Sequence, residues 1–340
     1  MAYACEVLAD SVSPAGHRLT TFQVTFPRIV LAEVNTHKML SKNSASSRAI
    51  PVPKRIAAVE ADPFVPDAFG QNKPGMQHEH VLEGDDDEHA RRIWARSRQS
   101  ARADATELSA IGVHKQLANR LLEPHSWHTA IISGTDWANY FGLRCHTAAQ
   151  GEFRKAAELM REAMRRSRPH LLRPGEWHLP LVPELDGEVI SRADARRDRG
   201  TAWWLDWVKI SSGRCARVSY LTHDGVRDID KDVELADSLV TNGHLSPTEH
   251  QARPMAKREL ALTAAYDVTF DGGLTLRVGS RWGEPRVGGR LFLGTDGDEP
   301  PESELIVAVR GPLHYAGNFN GWVQYRKHIP NEWNALGGTD

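Results

Sequence analysis

The first fifty residues change from an alternating pattern to a helical one. Residues 19–26, LTTFQVTF, alternate apolar and polar side chains and are rich in Thr, Phe and Val, which predicts a β-strand ending at Pro27. Residues 29–39 place apolar side chains on one side of a predicted helix. The small polar residues of 41–48 hold a helix poorly, because their side chains compete with the backbone for hydrogen bonds. This stretch is therefore either a linker or a binding loop.

Helical periodicity dominates the middle of the chain, and glycine-rich alternation returns near its end. The predicted helices cover residues 88–110, 112–123, 127–142, 147–168 and 230–241. An apolar segment occupies residues 203–210. Residues 264–293 predict hairpin strands, and residues 305–310 predict a short strand. These elements together predict a mixed α/β fold.

Two stretches without periodicity divide the chain. Residues 62–88 are interrupted by prolines and glycines and end in an acidic run, which favours the start of the helix that follows. Residues 186–202 are charged and contain two glycines, and we place the main internal boundary there. The resulting parts are residues 1–200 and residues 201–340, which we expect to form one intertwined domain.

The composition excludes several classes of protein. With 40% apolar and 25% charged residues among 340, the chain is typical of a globular protein rather than a disordered, collagenous or disulfide-stapled one. Its 42 basic and 44 acidic residues give a net charge of -2, so no overall basic field favours duplex DNA or an anionic membrane. Acidic residues interleave the arginine-rich stretch 154–173, which predicts a solvated helix face. Three cysteines, no signal peptide and no apolar run of about 20 residues predict a cytoplasmic protein.

The common motifs of phosphate, hydrolase and zinc chemistry are missing. The chain has no GxGxxG, no Walker loop, no GxSxG and no HExxH. His78 and His80 form an isolated pair, as do Cys145 and His146, whereas zinc requires four well-spaced ligands. We therefore expect no metal site.

Three polar clusters remain as candidates for binding chemistry. The first is residues 41–48, whose small side chains let backbone amides approach an anion while an arginine supplies a bidentate charge. Its polar groups are the hydroxyls of Ser41, Ser44, Ser46 and Ser47, the amide of Asn43 and the guanidinium of Arg48. The alternative interpretation is a solvated serine-rich turn.

The other two clusters lie near predicted helix ends. Residues 243–250 combine two histidines, a carboxylate and two hydroxyls, which can position a ligand or shuttle a proton. Their alternative is a capped helix start, since Ser-Pro-x-Glu has the spacing of one. Residues 139–146 set Asn139 five residues before Arg144, an arrangement that can hold an anion or a heterocycle. Their alternative is an ordinary helix C-terminus with its cation.

Together the three clusters resemble the flavin-dependent thymidylate synthases. The signature of that family is Arg-His-Arg, two residues, Ser, one residue, Asn-Glu, one residue, Ser, one residue, Arg. Residues 36–48 follow the same spacing, with matches at His37, Ser41, Asn43, Ser46 and Arg48. Thr36, Lys38 and Ser44 replace the two arginines and the glutamate.

Further blocks resemble the family in an unusual order. Residues 112–120 and 139–150 are similar to later helices of the family, which end in an Asn-Leu-Arg and an Ala-Gln pair. Residues 216–220 and 242–250 are similar to the family's N-terminal part, which in ordinary members precedes the signature and here follows it. The resemblance therefore implies a circularly permuted chain, with long helices on a central antiparallel or mixed sheet.

The resemblance also implies a methyltransferase reaction. In this family FAD, reduced by NADPH, carries a one-carbon unit from methylene-tetrahydrofolate to C5 of dUMP, which gives dTMP. Active sites of the family form between the subunits of a homotetramer. The implied partners are a pyrimidine deoxynucleotide monophosphate, folate and further copies of the chain, without nucleic acid or membrane.

The same resemblance assigns roles to individual residues. For catalysis it implies His244, near the reacting ring of the flavin, together with Arg144 and Ser46. For flavin binding it implies His37, Lys38, Asn43, Asn139, Ser219, Ser246 and Glu249. For nucleotide binding it implies Glu33, Ser44, Ser46, Ser47, Arg48, Asn119, Arg120 and Arg144.

Departures from the family pattern leave two alternatives open. Besides the three changes in the signature, Asn119 stands where the family has an arginine, and Glu33 stands where it has a glutamine. Arginine and lysine are not equivalent at bidentate sites, and the loss of a few buried hydrogen bonds changes which base is accepted. One alternative is therefore a C5 methylase or hydroxymethylase of another pyrimidine nucleotide, such as dCMP. The other is a flavin- or nucleotide-binding homologue that has lost turnover.

Overall fold

The computed structural model describes residues 3–74, 80–173, 175–182, 204–220, 228–256, 266–269, 275–278 and 318–329. At its centre lies a sheet built from β1 (Ala4–Val12), β2 (Arg18–Pro27), β3 (Ser41–Ser44), β4 (Trp127–Gly134) and β5 (His170–Leu171). The strand order is β3-β4-β2-β1-β5, in which β5 runs parallel to β1 and the other neighbours are antiparallel. This mixed sheet and its helices confirm the predicted α/β class, and β2 confirms the strand predicted over residues 19–26.

Helices and short strands complete the described fold. The helices are α1 (Leu31–Asn35), α2 (Val52–Ala61), α3 (Gly84–Ala110), α4 (Lys115–Ala118), α5 (Ala138–Arg144), α6 (Gly151–Arg166), α7 (Trp204–Tyr220) and α8 (Ile229–Thr241). The remaining strands are β6 (Ala252–Pro254), β7 (Tyr266–Thr269), β8 (Thr275–Val278) and β9 (Trp322–Gln324). Strand β6 pairs with β9 and β7 pairs with β8, both antiparallel.

One face of the sheet carries the main apolar core. Because alternate residues of a strand point to the same side, Phe22, Val24 and Phe26 of β2 form a buried apolar row. Helices α5 and α6 cover this row, with Tyr140 and Phe153 among their buried side chains. Helix α6 confirms the helix predicted over residues 147–168, and α3 and α8 confirm those over 88–110 and 230–241.

The opposite face of the sheet receives a helix from the second half of the chain. Ile131 of β4 packs against Cys215 of α7. Helix α8 lies so close to α7 that a side chain at Gly213 would clash with the backbone carbonyl of Asp232. Two arginines of α7 bind the buried Asp232 carboxylate, which fixes α8 against α7.

A row of buried polar side chains crosses this second face. The Ser11 hydroxyl lies 2.8 Å from His178 Nδ1, and His178 Nε2 lies 2.8 Å from the Thr21 hydroxyl. The Thr21 hydroxyl lies 2.7 Å from Ser133 Oγ, which in turn lies 2.8 Å from His250 Nδ1. Burial lowers the pKa of both histidines to about 3, so both rings are neutral. This buried polar row joins strands β1, β2 and β4 to two later segments of the chain.

Three predicted helices are shortened in the structure. The helix over 127–142 is wrong in its first half, because those residues form β4, where pairing with β2 and β3 outweighs local helical spacing. The helix over 29–39 is reduced to a 3-10 turn and α1, since the chain turns beyond Asn35 to enter β3. The helix over 112–123 is reduced to α4 and a 3-10 helix that continues to His125.

The polar stretch 41–48 is a further correction. Its first half is the edge strand β3 rather than a loop, and a 3-10 turn over Ser47–Ala49 follows. An edge strand has one paired side only, so polar residues are tolerated there.

Several sequence predictions fall partly or wholly outside the described residues. Strands β7 and β8 confirm a hairpin within residues 264–293, and the rest of that segment is not described. The boundary at 186–202 and the strand at 305–310 lie outside the described residues. The division into residues 1–200 and 201–340 stays a prediction.

Candidate functional site

A cleft of about 410 Å³ opens where the segment after β3 faces the turn after α8. Six of the predicted site residues line it together: Asn43, Ser44, Ser46, Arg48, His244 and Ser246. Asn43 and Ser246 are 203 residues apart in the chain. The fold thus unites the first and second polar clusters in one concave site.

Asn43 joins the two sides of the cleft. Its Nδ2 atom donates to the backbone carbonyl of Cys215 in α7 at 3.0 Å. Its Oδ1 atom accepts from the Ser246 hydroxyl at 3.4 Å. Because Asn43 belongs to β3, its side-chain hydrogen bonds join the central sheet to α7 and to the turn that contains Ser246. The cleft therefore has a rigid polar floor.

Five side chains of the cleft are exposed: Ser46, Arg48, His114, His244 and Ser246. Among the described residues, no acidic side chain pairs with the Arg48 guanidinium. Its charge is therefore available to an anion, and the adjacent hydroxyls supply further hydrogen bonds. The exposed imidazole of His244 lines the same cleft.

Ser47 and Asn119 lie behind the cleft and hold its wall. The buried Asn119 side chain donates from Nδ2 to the backbone carbonyls of Ser47 and Ile50, both at 2.8 Å. The Ser47 hydroxyl donates to the carboxylate of Glu123, which pairs with Arg28 at 2.9 Å. Burial alone would raise the pKa of Glu123, but the Ser47 hydrogen bond and the nearby arginines lower it. These two predicted ligand residues shape the cleft without lining it.

The third polar cluster lies apart from the cleft. Arg144 donates from Nε to His37 Nε2 at 2.8 Å, and its guanidinium carbon lies 4.6 Å from the centre of the Phe153 ring. Because arginine only donates, the proton of His37 sits on Nδ1. Burial, followed by the charges of Arg144 and Lys42, lowers the pKa of His37 to about 4. The pair is thus a neutral imidazole beside a cation.

The remaining predicted residues are dispersed. Lys38, Asn139 and Arg120 are exposed, and Glu33 is half-buried. Arg120 pairs with the Glu123 carboxylate at 2.9 Å. The carboxylate of Glu249 pairs with Arg326 instead of facing the cleft lining. The side chain of Ser219 is outside the described part of the structure.

His114 lines the cleft although no motif singles it out. It caps α4, with Nδ1 accepting from the Gln116 backbone N–H at 3.2 Å. A lone histidine carries no spacing signal, so only the fold brings it to the site. The cleft therefore contains a second imidazole besides that of His244.

The arrangement suits anion binding and proton transfer. An unpaired guanidinium, several hydroxyls and two imidazoles line one cleft, which also has apolar contributions from Ala216 and Leu239. In the described residues, no group of three His, Cys, Asp or Glu side chains could hold a metal ion. Across the same described ranges, no helix is long and apolar enough to cross a membrane.

Comparisons with known proteins concern about half of the chain. Residues 8–170 match the family model described as thymidylate synthase complementing protein. Among curated proteins, no sequence matches this chain. Crystal structures of a UMP/dUMP methylase PolB from Streptomyces cacaoi, bound with 5-Br dUMP or with 5-Br UMP, are similar to it. Their TM-scores are both 0.41, with identities of 19% and 21%, and the matches cover 48% of this chain and 89% and 88% of those chains.

Proposed function

We propose that the protein methylates C5 of a pyrimidine nucleotide, because residues 8–170 match the model of the thymidylate synthase complementing protein family, the flavin-dependent thymidylate synthases. The proposed reaction converts dUMP to dTMP, with methylene-tetrahydrofolate as the one-carbon donor and NADPH as the reductant. We further propose that the protein requires FAD.

One observation carries the proposal: two polar clusters from opposite halves of the chain form a single cleft. Ser46 and Arg48 come from the signature-like segment, and His244 and Ser246 come from the later block. A permuted member of the family would need these segments side by side, and the hydrogen bonds of Asn43 hold them there. The permutation itself remains part of the proposal.

The cleft residues fit a flavin or a nucleotide in their chemistry. A volume of about 410 Å³ lies in the range of small-molecule sites and can enclose a ring system or a nucleoside monophosphate. Asn43, His244 and Ser246 would hold the ring of FAD, while Ala216 and Leu239 offer apolar contact. When bound, FAD supplies the one-carbon and hydride transfer that no side chain of the cleft can perform.

The chain's own residues bind and orient the substrate in this proposal. The Arg48 guanidinium pairs with the nucleotide phosphate, and the Ser46 hydroxyl donates to it. The imidazole of His244 holds or moves a proton at the reacting end of the cleft. Arg144 stands beside neutral His37, so its full charge would be free to stabilise negative charge developing on a pyrimidine ring.

Oligomer formation would let Arg144 take part although it lies apart from the cleft of its own chain. We propose a homotetramer with active sites shared between subunits. Ile111, Leu117 and Leu121 support this part of the proposal, since they are 73%, 60% and 38% exposed and flank His114 in sequence. Exposed apolar side chains so close together are typical of a surface that another protein covers.

The test of the proposed function is product mass after turnover. The protein is incubated with FAD, NADPH, methylene-tetrahydrofolate and either dUMP or dCMP. We expect dUMP to gain one methyl group, and the variant His244→Ala to lose most of this activity while it keeps its fold by circular dichroism. The Lys54→Ala variant, changed at an exposed residue of α2, is the control and should match the wild type.

The same assay separates the alternatives. If dCMP gives a methylated or hydroxymethylated product and dUMP gives none, the substrate is dCMP and not dUMP. No product from either nucleotide, with flavin bound, would identify a binding protein without turnover and would contradict the proposed reaction.

A further inference from the structure

A second cavity, of about 250 Å³, lies on the reverse side of the segment that walls the cleft. Ala45 and Ile50 line this rear cavity, whereas Ser44, Ser46 and Arg48 line the cleft. Helix α2 and the beginning of β4 form its other walls. None of the residues assigned to the proposed reaction lines the rear cavity.

Arg55 of α2 brings a positive charge into the rear cavity. The residue is 6% exposed, and within the described ranges its guanidinium pairs with no carboxylate. Its Nε atom is buried without a hydrogen-bond acceptor. Burial, followed by the charge of nearby Arg28, lowers its pKa to about 10, which still leaves the group charged at neutral pH.

The carboxylate whose charge acts on Arg55 belongs to Glu123, which has other partners. Glu123 pairs with Arg28 and Arg120, each at 2.9 Å, and accepts from Ser47. Arg28 is buried as well, and Glu123 is the ion-pair partner of Arg28 and not of Arg55. Asp62 also lines the rear cavity, and it has an interaction partner. A buried cation without its own counter-charge is costly, so the cavity favours an anionic guest.

Two further donors line the same cavity. His128, which is 3% exposed, accepts on Nδ1 from Arg28 at 2.8 Å, so its proton sits on Nε2. That Nε2 atom is buried without a partner, as is the indole Nε1 of Trp127. Burial lowers the pKa of His128 to about 3, so the ring is a neutral donor. Three N–H groups therefore lack an acceptor at one cavity, which is rare for buried polar atoms.

We propose that the rear cavity binds a small carboxylate with an apolar body, whose oxygens accept from Arg55, Trp127 and His128. A carboxylate carries one charge and two acceptor oxygens, which matches one unpaired guanidinium and its neighbouring donors. A phosphate dianion would bring a second charge that has no partner there. The apolar body would contact the side chains that make up the rest of the lining, Ala45, Ile50, Ala58, Val59 and Ala61.

The test uses sodium benzoate as the probe and isothermal titration calorimetry of the full-length protein without flavin or nucleotide. We expect one site per chain. Benzamide has the same shape without the charge, and we expect it to bind at least about tenfold more weakly, because hydrogen bonds to charged groups are the stronger ones. Equal affinities for the two compounds, or no heat with benzoate at millimolar concentration, would overturn the proposal.

Matched variants locate the site. Arg55→Met should weaken benzoate binding at least about tenfold, and Lys54→Met, on the exposed face of the same helix, should leave it unchanged. Without benzoate, Arg55→Met should unfold at a temperature no lower than that of the wild type, because it removes an unpaired buried cation. A marked drop in that temperature would mean that the charge is already paired and would contradict the proposal.

A second variant does not touch the charge. Ala58 lines the rear cavity and is exposed, so Ala58→Phe places a ring at its mouth while the fold is retained. Benzoate binding should be lost, and binding that persists would place the site elsewhere. Since these titrations involve no turnover, a negative result here leaves the proposed methylation untouched, and failure of methylation leaves the rear cavity untouched.

Discussion

Replacement of Arg48 by alanine is expected to weaken the binding of dUMP by about tenfold to a hundredfold while the affinity for FAD is kept. The Arg48 side chain is exposed in the cleft, so its removal leaves no buried group without a partner. A hydrogen bond to a charged group contributes about 1.5–3 kcal/mol, which corresponds to this loss of affinity. Titration calorimetry with dUMP, on protein saturated with FAD, measures it.

Arg120 is the matched control for Arg48. The family resemblance assigns both arginines to the nucleotide, yet the structure pairs Arg120 with Glu123 and places it outside the cleft lining. Arg120→Ala should therefore leave the dissociation constant of dUMP within about twofold of the wild type, as expected for an exposed ion pair. An unchanged constant in Arg48→Ala would remove that residue from the site.

The variant Thr21→Val is expected to lower the free energy of unfolding by about 2–4 kcal/mol. Valine has nearly the shape of threonine, so the change removes one hydroxyl from the middle of the buried polar row. His178 and Ser133 each lose a hydrogen-bond partner at a place that water does not reach. Urea denaturation followed by circular dichroism gives the free energy.

Thr25→Val is the control for Thr21→Val. Thr25 lies on the same face of β2, and its hydroxyl is 2.8 Å from that of Thr129, which is only half-buried. Water can replace the lost bond there, so we expect a loss below about 1 kcal/mol. Equal losses in the two variants would mean that the row adds nothing beyond ordinary strand hydrogen bonds.

The contrast between α6 and β4 shows which elements a single sequence can predict. Apolar side chains recur at helical spacing in α6, and one amphipathic face packs on the sheet as that spacing requires. The run WHTAIISG of β4 is largely buried on both faces, because helices cover both sides of the sheet. A short run of that kind cannot be told from a buried helix by periodicity.

The candidate site likewise contains residues that the sequence predicts correctly and residues that it misassigns or misses. The spacing of the signature-like segment predicts that Ser46 and Arg48 share a polar site, and the cleft contains both. Spacing cannot separate a ligand residue from its neighbour that supports the loop, so Ser47 is predicted to bind a nucleotide although its hydroxyl donates to Glu123. His114 depends on tertiary contacts alone, because nothing in its local sequence marks it.

The visible absorption spectrum of the purified protein, after addition of FAD and desalting, tests the central claim most directly. If the cleft between the signature-like segment and the later block is a flavin site, the protein keeps a perturbed flavin band at one FAD per chain. The variant Asn43→Leu, which breaks the contacts that join the two sides of the cleft, should then lose the band. A colourless wild-type protein, saturated beforehand with FAD, would contradict the flavin-dependent reaction.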